Sequence, residues 1–288
     1  MSEFPLRELS AAEFPARLRE IPQPPQTLFC RGELPPAHLT PLAVVGSRHY
    51  TTYGKQVVEH LISGLALYDV AIVSGLALGI DSLAHEAALR HNLYTLAVPG
   101  SGLDDKVLYP ASHKALARRI LEAGGGLLSE YPASQEAAPW TFPQRNRIMA
   151  GYCVATLMIE AGEKSGTLIT ARMTVDYNRE LLVVPGSIFS DNSKGPHQFL
   201  ALGATLVTSA EDIATALSLE PRAELQPALT APLSETEATI MNALKEPTSI
   251  EALAATIKME MQTLNVTLMK LEITGFVAAE HGVIRRLK

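Results

Sequence analysis

A doubly wound α/β domain followed by a small helical module is the fold this sequence predicts, and two observations predict it. Between Leu42 and about Leu217, short apolar runs alternate with helical stretches, and the runs are continuously apolar. Strands of that kind are buried on both faces, which describes a mostly parallel sheet covered by helices. After Ser218 the composition shifts to a proline-marked stretch, then to three helical patterns and a hairpin. At 288 residues the chain has room for one large domain and one small one.

Residues 1–40 carry Pro22, Pro24, Pro25, Pro35 and Pro36, which break any long helix. This stretch reads as an N-terminal arm, with a short helix near Ala11–Glu20 and a strand at Leu28–Cys30. Residues 41–218 read as a Rossmann-like domain. Its strands are expected at Leu42–Val45, Val70–Val73, Tyr94–Val98, Leu127–Leu128, Val154–Ile159, Leu181–Val184 and Thr205–Val207. Helices are expected at Tyr53–Leu67, Asp81–His91, Lys114–Ala123 and Thr167–Tyr177. Pro221, Pro227 and Pro232 mark a linker over 219–232.

Residues 233–288 form the last predicted domain. Ser234 through Glu237 spells a capping box that opens a helix to about Leu244. Thr248-Ser249 caps a second helix, Ile250–Ile257, and a third runs from Met261 to Ile273 and stops at Gly275. Phe276–Ala279 and Val283–Leu287 then pair around His281-Gly282. Three helices and a hairpin make the winged-helix pattern, a helix-turn-helix variant.

Hydrophobic residues make up 47% of the chain and charged residues 19%, ample for a core. The longest apolar runs are strand-sized, so no membrane span is expected, and the N-terminus has no secretory pattern. Cys30 and Cys153 lie far apart without metal spacing. The chain reads as cytoplasmic, metal-free and disulfide-free. A net charge of −6 argues against coating nucleic acid through a bulk positive surface, but leaves room for a local basic groove.

In a doubly wound fold ligands gather at the C-terminal ends of the strands. There the chain places Gly46-Ser47-Arg48, Ser74-Gly75, Pro99-Gly100-Ser101, Lys164-Ser165-Gly166-Thr167 and Pro185-Gly186-Ser187, turns rich in backbone N–H groups and hydroxyls that suit phosphates. A tight turn accounts for Gly46 but not for Arg48 beside it, which is read as a phosphate contact. The dinucleotide fingerprint GxGxxG is absent, and Glu163 stands where a P-loop needs glycine before its lysine, so ATPase chemistry is not expected. Phe142 precedes Arg145-Asn146-Arg147, a flat apolar ring beside cations, which is the signature of single-strand binding. Asn146 is suited either to a base edge or to orienting the arginines. Asp81 is read as the cap of its helix, not as an acid–base partner of His85. No catalytic constellation stands out, which favours a binding function.

Six stretches in register carry a resemblance. They are Val45–Arg48, Ser74–Asp81, Ser129–Pro132, Phe142–Ile148, Lys164–Arg172 and Val184–Ser187. Together they resemble the DprA family (DNA-processing protein A, also called Smf), over about residues 15–215, and the C-terminal module resembles the winged helix that many members carry. The resemblance implies a Rossmann-like homodimer that binds single-stranded DNA and helps load RecA recombinase during natural transformation, with no enzymatic activity and no cofactor. It implies a DNA pocket built from Gly46, Ser47, Arg48, Phe142, Arg145, Asn146 and Lys164, rimmed by Ser74, Gly75, Ser165, Gly166 and Thr167.

The chain departs from the family pattern at three places. Pro139, beside Trp140, stands where many members have lysine; Gln144 replaces a frequent arginine; and Gly195-Pro196-His197-Gln198 replaces the usual Gly-Thr-Asn. Weaker or more stacking-dependent binding is expected. From Leu233 onward seven acidic residues face six basic ones, which leaves duplex DNA and a protein partner equally open for the winged helix. Two rival readings are a nucleoside-phosphate hydrolase of the lysine-decarboxylase-like group and a winged-helix regulator that senses a nucleotide. The first would need PGGxGT where the chain has Pro99-Gly100-Ser101-Gly102-Leu103-Asp104; the second would need the absent fingerprint.

Overall fold

The structure, a computed structural model, describes residues 4–222, 234–244, 246–273, 276–280 and 283–287. The chain divides into two compact units, Met1–Ala223 and Glu224–Lys288. Most of the expected linker, together with Gly275 and the His281-Gly282 turn, lies outside the described residues.

The first unit is built on a nine-stranded sheet. In chain order its elements are β1 (Leu6–Glu8), α1 (Ala16–Arg19), β2 (Phe29–Gly32), β3 (Thr40–Val45), α2 (Thr52–Leu65), β4 (Val70–Ser74), α3 (Ile80–Arg90) and β5 (Tyr94–Ala97). There follow α4 (Lys114–Glu122), β6 (Gly126–Ser129), α5 (Thr141–Tyr152), β7 (Ala155–Met158), α6 (Thr167–Asp176), β8 (Glu180–Val183), α7 (Lys194–Ala201), β9 (Thr205–Leu206) and α8 (Ala210–Ala216).

The strands lie in the order β1-β2-β6-β5-β4-β3-β7-β8-β9, with β3 to β9 mutually parallel, β2 antiparallel to β6, and β1 antiparallel to β2 at the edge. The N-terminal stretch thus extends the sheet. Of its expected helix only the part after Pro15 is helical, since proline tolerates the position before a first turn but not an interior one.

Both faces of the sheet are covered, as continuously apolar strands require. Along β3, Leu42 and Val44 join one core with residues of α2, α3 and α8, while Ala43 and Val45 join the other with residues of α5, α6 and α7. The helices α7 and α8 go beyond the sequence expectation. Chain order reverses between β3 and β7, which pair directly, Val45 opposite Met158. The segments after these two strands therefore diverge to opposite sides and open a crevice at the switch point.

The second unit contains α9 (Glu235–Ala243), β10 (Thr248–Ser249), α10 (Ile250–Ile257), α11 (Met261–Ile273), β11 (Val277–Glu280) and β12 (Val283–Arg286). The Ser234 hydroxyl accepts from Glu237 N–H at 3.3 Å while the Glu237 carboxylate accepts from Ser234 N–H at 2.7 Å, the capping box read in the sequence. Ser249 caps α10 by accepting from Ala252 N–H at 3.2 Å. The antiparallel pair β11–β12 and the short β10 form a three-stranded sheet over a core that includes Ile240, Leu253, Leu264, Leu268 and Ile284. This is a winged helix.

Candidate nucleic-acid interface

A cleft of about 580 Å³ lies at the switch point, walled by the turn after β3, the face of α5 that carries Phe142 and Asn146, and the turn that opens α6. Each wall has a local cause. After Val45 the chain turns at Gly46, and Ser47 N–H donates to the Glu160 carbonyl at 2.7 Å while the Ser47 carbonyl accepts from Ile80 N–H at 3.1 Å. The Ser47 hydroxyl accepts from His49 N–H at 3.1 Å and donates to His49 carbonyl at 3.0 Å, a local turn that leaves Arg48 exposed. Gly79 makes the close approach possible: its φ is +90°, and a Cβ there would stand 2.3 Å from the Ser47 carbonyl oxygen.

The buried carboxylate of Glu160, just past β7, accepts from both the backbone N–H and the hydroxyl of Thr51, and so fixes the far end of the Arg48 loop at the start of α2. The sequence carries one signal for Glu160, an acidic residue that closes a mostly apolar strand. Asn192, which donates to the His49 carbonyl at 2.7 Å and lines the cleft, carries no such signal.

The Arg48 guanidinium sits over the Phe142 ring, 5.3 Å from its centroid, within the range of a cation–π contact. Tyr109 packs on the same ring, with centroids 5.5 Å apart. Lys164 is exposed and makes no ion pair among the described residues. In the neighbouring turn the Thr167 hydroxyl donates to Gly46 carbonyl at 3.0 Å and so joins two walls. The N–H groups of Ser165, Thr167, Leu168 and Ile169 are already bonded within that turn. It therefore offers hydroxyls and the exposed Gly166 backbone, not the open cradle of N–H donors that the sequence led us to expect.

Arg145 is buried in the cleft floor. Its guanidinium donates to Gly75 carbonyl at 2.6 Å and to Val98 carbonyl, and its Nε donates to the Asn146 side-chain oxygen at 3.1 Å. Of the two roles open to Asn146, the structure shows the orienting one. Burial pushes the Arg145 pKa down to about 10, against the opposing pull of Asp81, so it stays charged at neutral pH. Asp81 is buried as well, which raises its pKa while Arg145 opposes the rise. It does not cap its helix as expected. Gly79 holds the cap position, and the Asp81 carboxylate turns back to accept from Gly75 N–H at 3.1 Å. With Arg145 and Asp81 offsetting each other, the exposed cations of the cleft are Arg48 and Lys164.

Gly46, Ser47, Arg48, Phe142, Arg145, Asn146, Lys164, Ser165, Gly166 and Thr167 are all brought to this one cleft. Three expected residues stand elsewhere. The Ser74 hydroxyl is buried and donates to Val44 carbonyl at 2.6 Å, and Gly75 lies beneath Arg145. Arg147 points away from the cleft, donating to Gln23 carbonyl at 2.7 Å and pairing with the Glu130 carboxylate, because two helical steps of about 100° turn it to the opposite side of α5.

Among the described residues no cluster of His, Cys, Asp or Glu could hold a metal ion, and no helix is long and apolar enough to cross a membrane.

Comparison with known proteins agrees with this architecture. The family model of DNA recombination-mediator protein A matches residues 6–218, and that of the DprA winged helix domain matches residues 224–283. Protein Smf of Escherichia coli K12 is 36% identical over 286 residues, covering 96% of this chain and 75% of the relative. DNA processing protein DprA of Streptococcus pneumoniae is 40% identical over 211 residues, 73% of each chain. The X-ray structure of the pneumococcal DprA superposes with a TM-score of 0.68 at 39% identity, covering 74% of each chain. The DprA of Helicobacter pylori, solved for its unique single-stranded DNA binding mode, superposes with a TM-score of 0.66 at 28% identity, covering 75% of this chain and 97% of that one. The chain is a member of the DNA recombination-mediator protein A (DprA) family.

Proposed function

We propose that this chain is a non-enzymatic single-stranded DNA-binding protein that protects DNA and helps load RecA recombinase in transformation and recombination. The observation that carries the reading is the Arg48–Phe142 pair at the lip of the switch-point cleft, with Lys164 on the opposite turn. A cation laid over an aromatic ring presents a flat, charged surface, which accepts the face of an unpaired base and the phosphate beside it. A duplex keeps its bases stacked inside and cannot offer that face. The DNA role of the relatives supports the same reading.

The hydrolase alternative is weaker. In the turn where its signature would lie, Ser101 is buried and a Cβ on Gly102 would collide with the carbonyl oxygens of Pro132 and Ala133. For the winged helix the geometry favours a protein partner over duplex DNA. On α11, Val266 and Met269 are 67% and 65% exposed, and Lys270 is paired with Glu237 at 2.7 Å. A homodimer remains the assembly that the family implies, and sedimentation velocity on the purified chain tests it.

The deciding experiment titrates labelled single- and double-stranded oligonucleotides at several salt concentrations. Single strands should bind more tightly, and Arg48→Ala or Lys164→Ala should each reduce the salt slope by about 0.7. Equal affinity for both forms, or no binding at low salt, overturns the reading.

A further inference from the structure

Phe189 is 93% exposed and Ile188 beside it 77%, on the segment between β8 and α7 at the same edge of the sheet as the cleft. Side chains this exposed add nothing to the core. Both ends of their loop are tied to the segment that carries Arg48. The Tyr53 hydroxyl donates to Pro185 carbonyl at 2.7 Å, and Asn192 donates to His49 carbonyl at 2.7 Å. Asn192 belongs to the cleft wall. Phe189 lies three positions before it, which keeps their Cα atoms within about 11 Å of each other. Tyr50 and Tyr53, in the segment to which the loop is tied, are also partly exposed.

We propose that the Ile188–Phe189 tip is a second base-stacking station, taking nucleobases of a single DNA strand that leaves the cleft past Asn192. The proposal rests on the single-strand reading of the cleft and assigns it a longer footprint. The tip, Gly186 to Ser190, carries no charged side chain, so it supplies stacking without phosphate contact and complements the cations of the cleft. Its size fits a base better than a protein. Two such side chains bury at most about 400 Å², whereas a stable protein interface covers roughly 800 Å² on each partner.

The test compares Phe189→Ala with the unaltered chain on oligothymidylates of about 4 to 16 nucleotides, at fixed salt and across a salt series. The shortest oligomers that bind should be unaffected. Longer ones should bind the variant about five-fold or more weakly, with an unchanged salt slope, and Phe189→Trp should restore them. Equal binding of every length by Phe189→Ala overturns the proposal. So does a variant that falls from dimer to monomer in sedimentation, which would assign the tip to a second copy of the chain. If the unaltered chain binds no single strand, the cleft reading falls too; if binding persists with unaltered length dependence, only the tip's role does.

Discussion

The guanidinium carbon of Arg48 lies 5.3 Å from the centroid of the Phe142 ring, so the charge and the stacking surface of the cleft are one unit. The two contributions separate by experiment. Phe142→Ala should weaken single-strand binding by about 1–3 kcal/mol and leave the salt slope nearly unchanged, because stacking releases no counterions. Arg48→Lys keeps the charge and loses the planar group, so it should keep the slope and lose affinity. Arg48→Ala should lose both. A large slope change in Phe142→Ala would show that the ring acts only by holding the arginine in place.

Gly75 and Gly166 look alike as turn glycines, and the structure separates them. A Cβ at Gly75 would stand 2.3 Å from Arg145 Nη1 and 2.5 Å from Asp81 Oδ2, whereas at Gly166 it would meet nothing within 4 Å. Gly166 also has an ordinary helical φ of −59°. Gly75→Ala should therefore cost about 1–3 kcal/mol of stability by overpacking and weaken DNA binding as the cleft floor shifts. Gly166→Ala should stay within about 0.5 kcal/mol. Chemical denaturation of the two variants checks the contrast, and equal stability would refute it.

The sheet was legible in the sequence because its strands are buried on both faces and read as unbroken apolar runs. The strand-end turns were legible too, since glycine beside a cation at such an end has few other uses. The direction of each side chain was not. Arg145, Asn146 and Arg147 looked equivalent as a run, yet on one helix Phe142, Arg145, Asn146 and Met149 share the cleft face and Arg147 falls opposite. The run reads in the sequence as the opening of a helix, which it is, and the spacing of three, four and seven along that helix contains the answer. Glu160 and Asn192 could not be found in the same way. Their roles depend on Thr51 and His49, more than a hundred residues distant in the chain.

Arg147 is predicted to matter for folding and not for DNA. It forms a buried pair with Glu130, whose own pKa is raised by burial although Arg147 opposes the rise. Arg147→Ala leaves that carboxylate buried without its cation, at a cost of about 3–5 kcal/mol. The double variant with Glu130→Ala should lose less than the two single losses combined. Binding by the folded fraction should keep the full salt slope. A slope lowered as far as in Arg48→Ala would return Arg147 to the DNA site.

His85 sets a pH dependence that the carboxylates do not. It is fully buried on α3, and its Nδ1 lies 2.7 Å from the Thr95 hydroxyl oxygen. That hydroxyl donates to Ile72 carbonyl at 3.0 Å, so Nδ1 carries a hydrogen. Burial pushes its pKa down to about 3 from the ordinary 6.5, against the opposing pull of the Ser74 backbone, with His113 and Arg145 adding to the fall, so the ring is neutral in the native chain. Between these values the unfolded chain binds a proton that the native chain refuses. Stability from this group is complete above about pH 6.5 and declines as pH falls towards 3, by ~1.4 kcal/mol per pH unit at most. Denaturant midpoints at pH 7.5, 6.5 and 5.5, values above the carboxylate range, should therefore fall more steeply for the unaltered chain than for His85→Gln, which cannot take up the proton. Parallel pH profiles for the two proteins would mean that His85 titrates in the native state as an ordinary imidazole.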